Sequence, residues 1–139
     1  MKSPGEGDKP WCEEEDKELL TATDASAFRG LAARANYLAQ DRADIQFACK
    51  EVCRGMSNPT RGDLKRLRRL ARYLIRVPRI VWYFKLQDNC QELQAFSDSD
   101  WAGCRRTART TSGGALLRGS HCLRAWSVTQ KNDAQLGGG

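Results

Sequence analysis

The chain has one histidine, four prolines and six cysteines, no two of which form a C-x-x-C pair. A single histidine cannot anchor a multi-histidine metal centre, and cysteines at 12, 49, 53, 90, 104 and 122 lack the spacing of a zinc ribbon or finger. Apolar runs are short, and none approaches the roughly 18 residues a membrane-spanning helix needs. Residues 1–11 hold glycine, proline and charge where a secretory signal would hold an apolar core. The protein is therefore expected inside the cell, cytoplasmic or nuclear and not secreted, with no membrane partner and with its thiols reduced. With 139 residues there is room for one domain or two small pieces, not for a two-domain enzyme carrying its own cofactor fold.

What the chain has in excess is positive charge, unevenly spread. Lys and Arg number 23 against 17 Asp and Glu, a net +6. Residues 1–18 contain seven acids and three bases and carry −4, whereas residues 19–139 contain twenty bases and ten acids and carry +10. An acidic leader thus precedes a basic body. Residues 1–23 show no hydrophobic period, and their glycine, proline and clustered charge predict a disordered or at most weakly helical stretch.

From Thr23 onward apolar residues recur at helical spacing. Phe28, Leu31, Ala35 and Leu38 predict a first helix over about 27–39, with Thr23, Asp24 or Ser26 as N-cap. After a polar break at 40–43, Ile45, Ala48 or Cys49, Val52 and Met56 predict a second, closed by Asn58-Pro59. Cys49 and Cys53 share a face of that helix, either as small buried hydrophobes or as part of a metal site. Thr60 and Asp63, three apart, make a variant capping box that opens a third helix, and Pro78 ends it. Its apolar stripe is Leu64, Leu67, Leu70 or Ala71, and Leu74, while Arg61, Lys65, Arg68 or Arg69, Arg72 and Arg76 run along another face. Eight bases against one acid over 61–79 exceed what solubility requires. A solvated face usually mixes signs, whereas a stripe of one sign repels itself unless it meets phosphate.

Beyond Pro78 the period turns from helical to extended. Ile80 to Leu86 is rich in β-branched and aromatic residues; Glu92 to Phe96, Ser112 to Arg118 and His121 to Ser127 are further short extended runs, the last two joined by a Gly119-Ser120 hairpin turn. The tail at 131–139 is polar and is expected to be disordered. Helices over 24–78 followed by strands over 79–130 predict an α+β arrangement and not an alternating parallel sheet.

Chemistry concentrates in the octet from Ser97 to Cys104. Asp98 and Asp100, two apart on an extended segment, point the same way and could offer oxygen ligands to a magnesium ion, although Asp and Ser also favour an Asx-type turn. Asp88, Glu92 and Asp133 stand isolated, so spacing alone assembles no complete metal site. The loop that follows adds Arg105, Arg106 and Arg109 among hydroxyl residues, a composition suited to phosphate and ribose oxygens. His121 has no partner for Ser-His-Asp catalysis, and Gly113-Gly114 lacks phosphate-loop spacing.

Seven short motifs occur in a recognisable order: A-N-Y-L-A at 35–39, D-I-Q-F-A at 44–48, M-S-N-P-T at 56–60, R-Y-L at 72–74, S-D-S-D-W-A-G at 97–103, T-S-G-G at 111–114 and W-S-x-T-Q at 126–130. Together they resemble the C-terminal part of the Pol polyprotein of copia-type LTR retrotransposons, where reverse transcriptase runs into ribonuclease H. The resemblance implies a helical thumb or connection segment over 24–78, followed by a truncated ribonuclease H-like β-meander over 79–130. It implies an Arg-rich helix lying along an RNA:DNA hybrid or template-primer duplex, with Asp98 as the first metal-binding nuclease carboxylate and Asp100 as the alternative register. The intact family is an RNA-directed DNA polymerase with a ribonuclease H that uses Mg2+.

Two departures bear on activity. The family's polymerase aspartates lie upstream, and nothing like them precedes residue 24; its Ser-Ser-x-Glu-Ala-Glu segment after Gln130 is replaced here by KNDAQLGGG, as a frameshift or a truncation would leave. The expectation is a polyprotein fragment that binds nucleic acid, has the missing parts of the polyprotein as further partners, is catalytically incomplete and holds no magnesium tightly. A non-catalytic nucleic-acid-binding module and a relic without function are the alternatives.

Overall fold

The computed structural model describes residues 14–100 and 109–133. They form three helices followed by a three-stranded antiparallel sheet, an α+β arrangement. The chain divides between Val81 and Trp82 into two compact units.

In the first unit, α1 (Ala22–Leu38), α2 (Ala43–Arg54) and α3 (Arg61–Arg76) surround a core of Phe28, Ala32, Ala35, Ala39, Ile45, Cys49, Val52, Leu67 and Leu70. Helix α1 starts five residues earlier than its apolar spacing suggests, because Thr21 and not Thr23, Asp24 or Ser26 caps it, its hydroxyl accepting from the Asp24 N–H at 3.2 Å. The buried face of α1 is also rotated. Leu31 and Leu38 are exposed, and Ala32, Ala35 and Ala39 take the core positions. Small side chains allow α2 to approach so closely that its thiols reach the α1 backbone: Cys49 Sγ donates to Ala35 O at 3.4 Å, and Cys53 Sγ to Ala32 O at 3.9 Å. The two cysteines thus share a face as expected, and burial pushes the Cys49 thiol up to about 12, leaving it protonated and inert.

Helix α3 opens on the capping box its sequence suggests. Thr60 Oγ1 accepts from the Asp63 N–H at 3.3 Å, and Asp63 Oδ2 accepts from the Thr60 N–H at 3.1 Å. Gly55 makes this possible, since a Cβ there would lie 2.4 Å from the Asp63 carboxyl carbon.

The stretch expected to be disordered, 1–23, is ordered in its second half. Residues Glu14–Lys17 form a 3-10 turn, and the backbone that follows pairs beside α3, with Leu20 N–H donating to Pro59 O and Arg61 N–H to Glu18 O, both at 2.9 Å. Attraction between acidic leader and basic helix supplies what hydrophobic period does not. Residues 1–13 lie outside the described residues.

The second unit is a meander of β1 (Leu93–Asp100), β2 (Arg109–Arg118) and β3 (His121–Asp133) in the order β1-β2-β3. The run Ile80 to Leu86, expected as a strand, is none: it has no ladder partner among the described residues, and hydrogen bonds and a ring contact from Phe84, Lys85 and Gln87 tie it and the residue after it to the hairpin. Gln87 straddles the β2–β3 turn, its Oε1 accepting from Ser120 N and Oγ and its Nε2 donating to Arg118 O. His121 sits 2.7 Å from Lys85 O and edge-on to Phe84, which accounts for that histidine structurally. The turn itself is the expected Gly119-Ser120, with Gly119 at φ +56°. Strand β3 continues to Asp133, in register with Arg109, so the tail expected from 131 is ordered for three more residues. Residues 134–139 lie outside the described residues.

Candidate nucleic-acid interface

The capping box fixes where α3 begins, and the leucines fix which side faces in. Leu67 and Leu70 are buried and Leu64, Tyr73 and Leu74 are partly so; Ala71, the alternative to Leu70 in the apolar stripe, is exposed. Arg61, Lys65, Arg68, Arg72 and Arg76 follow one another at steps of four, three, four and four, and all five are exposed. At 1.5 Å per residue the row is ~22 Å long. Arg69, the sixth nominated base, is half-buried beside it. The single acid of this stretch does not dilute the row, because Asp63 is 3% exposed and committed to the cap. Arg66, absent from the sequence-based set, lies 3.6 Å from Asp63.

The far end of α3 is held by a group that spacing did not reveal. Arg42 is buried; its Nε and Nη2 donate to the two Asp44 carboxylate oxygens at 2.9 and 2.8 Å, and its Nη2 and Nη1 reach Val77 O and Pro78 O at 3.0 and 3.2 Å. Tyr73 Oη donates to Asp44 Oδ2 at 3.0 Å. The guanidinium thereby satisfies the open carbonyl of the C-cap residue Val77 and that of Pro78 just beyond it. Its hydrogen bonds hold the Asp44 carboxyl below the usual carboxylate value, and Asp44 in turn raises Arg42; burial, then Asp44, push Tyr73 up. The only signal in the sequence was an arginine placed two residues before an aspartate in a break between helices.

In the second unit Asp98 and Asp100 occupy β1. Asp98 is exposed and shares a cross-strand row with Gly113 and Ser127; Asp100, two rows along, shares its row with Thr111 and Thr129. Strand geometry thus replaces the Asx turn as the setting of Asp98. Among the described residues no three His, Cys, Asp or Glu gather into a metal-ligating group. A magnesium ion takes several oxygen ligands in near-octahedral order, more than Asp98 and the described residues beside it supply. Arg109 opens β2 opposite Asp133, while Arg105 and Arg106 lie outside the described residues.

No family profile and no solved structure matches the chain. Curated relatives do. The retrovirus-related Pol polyprotein from transposon RE1 of Arabidopsis thaliana is 35% identical over 109 residues, and that from transposon RE2 is 33% identical over 108 residues, each match covering 78% of this chain. The chain is a homologue of copia-type retrotransposon Pol polyproteins. An uncharacterized mitochondrial protein of the same plant is 36% identical over 109 residues, again 78% of this chain. The matched part is 7% of the length of either Pol polyprotein and 44% of that of the mitochondrial protein, so the chain spans less than half of each relative. The copia-type resemblance drawn from the seven motifs is thus borne out.

Proposed function

We propose that the chain is the piece of a copia-type Pol polyprotein that joins the helical end of reverse transcriptase to the opening strands of ribonuclease H, and that α3 grips an RNA:DNA hybrid or template-primer duplex. The observation that carries the binding is the exposed row from Arg61 to Arg76, whose opposite face is buried. Bases at this spacing on a rigid helix meet successive backbone phosphates without reading sequence. The helices correspond to the thumb or connection segment and the meander to a partial ribonuclease H-like sheet, a reading supported by element order and by the positions of S-D-S-D, at 97–100, on β1 and of T-S-G-G, at 111–114, on β2.

Asp98, with Asp100 two residues on, is the nuclease carboxylate of this reading, and the chain is catalytically incomplete: one strand supplies both acids, and two metal ions require more. Magnesium-dependent cleavage of a hybrid, abolished by Asp98→Asn, would overturn that part. Binding is tested by fluorescence anisotropy on a labelled RNA:DNA hybrid. Arg68→Ala/Arg72→Ala/Arg76→Ala is expected to weaken affinity roughly tenfold or more at low salt, whatever the hybrid's sequence. Unchanged affinity would contradict the assignment.

A further inference from the structure

Among the described residues, two of the five bases in the exposed row form ion pairs with acids of the leader. Glu18 Oε2 lies 2.8 Å from Arg61 Nε, and Asp16 Oδ1 lies 2.5 Å from Lys65 Nζ. Backbone pairing fixes these acids at the start of α3: Arg61 N–H donates to Glu18 O, Leu19 bridges Thr60, and Leu20 N–H donates to Pro59 O. Leu20 also packs against the helical core, so the segment stays attached when its acids let go. Among the described residues no acid forms an ion pair with Arg68, Arg72 or Arg76. The row is therefore divided into a covered N-terminal end and an open C-terminal end.

We propose that Asp16 and Glu18 act as an internal phosphate mimic, an autoinhibitory latch that occupies Arg61 and Lys65 until a nucleic-acid backbone displaces it. This rests on the duplex-binding reading of α3. A carboxylate and a phosphate compete for the same guanidinium and ammonium groups, and both cannot hold them at once. The latch is graded. The Glu18 and Arg61 side chains are each 57% exposed, so solvent and salt weaken that pair, whereas the Asp16 side chain is only 13% exposed and anchors the other. A duplex that first engages Arg68, Arg72 and Arg76 brings its next phosphates to the latch at high local concentration and opens it.

The test uses the full chain and a fluorescein-labelled RNA:DNA hybrid in anisotropy titrations. Asp16→Asn/Glu18→Gln is expected to tighten binding by roughly threefold to tenfold. Asp41→Asn/Asp88→Asn, which removes the same two charges from exposed positions elsewhere, is expected to tighten it far less. In an Arg61→Ala/Lys65→Ala background the leader substitutions should have no more effect than that control. Equal tightening by the two pairs of substitutions, or a leader effect that survives the loss of Arg61 and Lys65, would overturn the latch. If the leader variant binds like wild type while Arg68→Ala/Arg72→Ala/Arg76→Ala still loses affinity, the latch alone fails. If that triple variant also keeps full affinity, the duplex-binding reading fails and takes the latch with it.

Discussion

Arg42 carries a full charge at 5% exposure, and its surroundings make that tolerable. Both Asp44 oxygens and two main-chain carbonyls accept from it, so the desolvated cation has four acceptor contacts. Arg42→Ala would strand Asp44 and uncap α3, and urea unfolding followed by helical circular dichroism should show a loss of about 3 kcal/mol. A loss too small to measure would mean that the network is ornamental. Its pH dependence has a definite sign. The folded Asp44 carboxyl titrates below its ordinary value of 3.8, so its contribution is complete above that value and disappears as pH falls through the lower, folded one. The wild-type urea midpoint should therefore fall more steeply below pH ~4 than that of Asp44→Asn, whose curve lacks this component. At this scale the sequence was only partly legible. The Thr60–Asp63 box could be read because its partners are three residues apart, whereas Arg42 meets Val77 and Pro78 across 35 and 36 residues, a pairing that no local pattern encodes.

Among the elements, α3 was the most legible, since its charge and its leucines follow one helical period and the structure keeps both faces. Periodicity failed in two places for physical reasons. On α1 alanines hold the core positions in place of Leu31 and Leu38, where α2 comes close enough for Cys49 Sγ to donate to Ala35 O. The run from Ile80 to Leu86 has strand composition without a strand partner, and composition cannot supply a ladder. Gly114 illustrates the converse. A Cβ there would lie 2.2 Å from the Trp126 ring, so this glycine, which lacks phosphate-loop spacing, is the seat of an indole packed across the sheet. The acids of the leader were visible as charge, but their pairing with Arg61 and Lys65 needed the fold.

Across the molecule, the two units differ in what holds them. Every buried apolar side chain among the described residues lies in the helical unit; in the sheet unit only Thr110 is buried, while Phe96, Leu123 and Val128 are more than half exposed. Hydrophobic burial is the main source of stability, so the helices should unfold last. Hydrogen exchange is expected to find the slowest amides around Val52, Leu67 and Leu70, with β2, paired on both sides, the slowest strand yet faster than these. Strand amides as protected as the helical core would contradict this division. The helical unit is thus the firmer platform, and it carries the row of bases proposed to hold a duplex. The most direct test of that claim is the salt dependence of hybrid binding. A plot of log affinity against log salt should be steep for the wild-type chain, and Arg68→Ala/Arg72→Ala/Arg76→Ala should lower its slope by roughly two to three. Equal slopes for the two proteins would show that the helix does not meet phosphates.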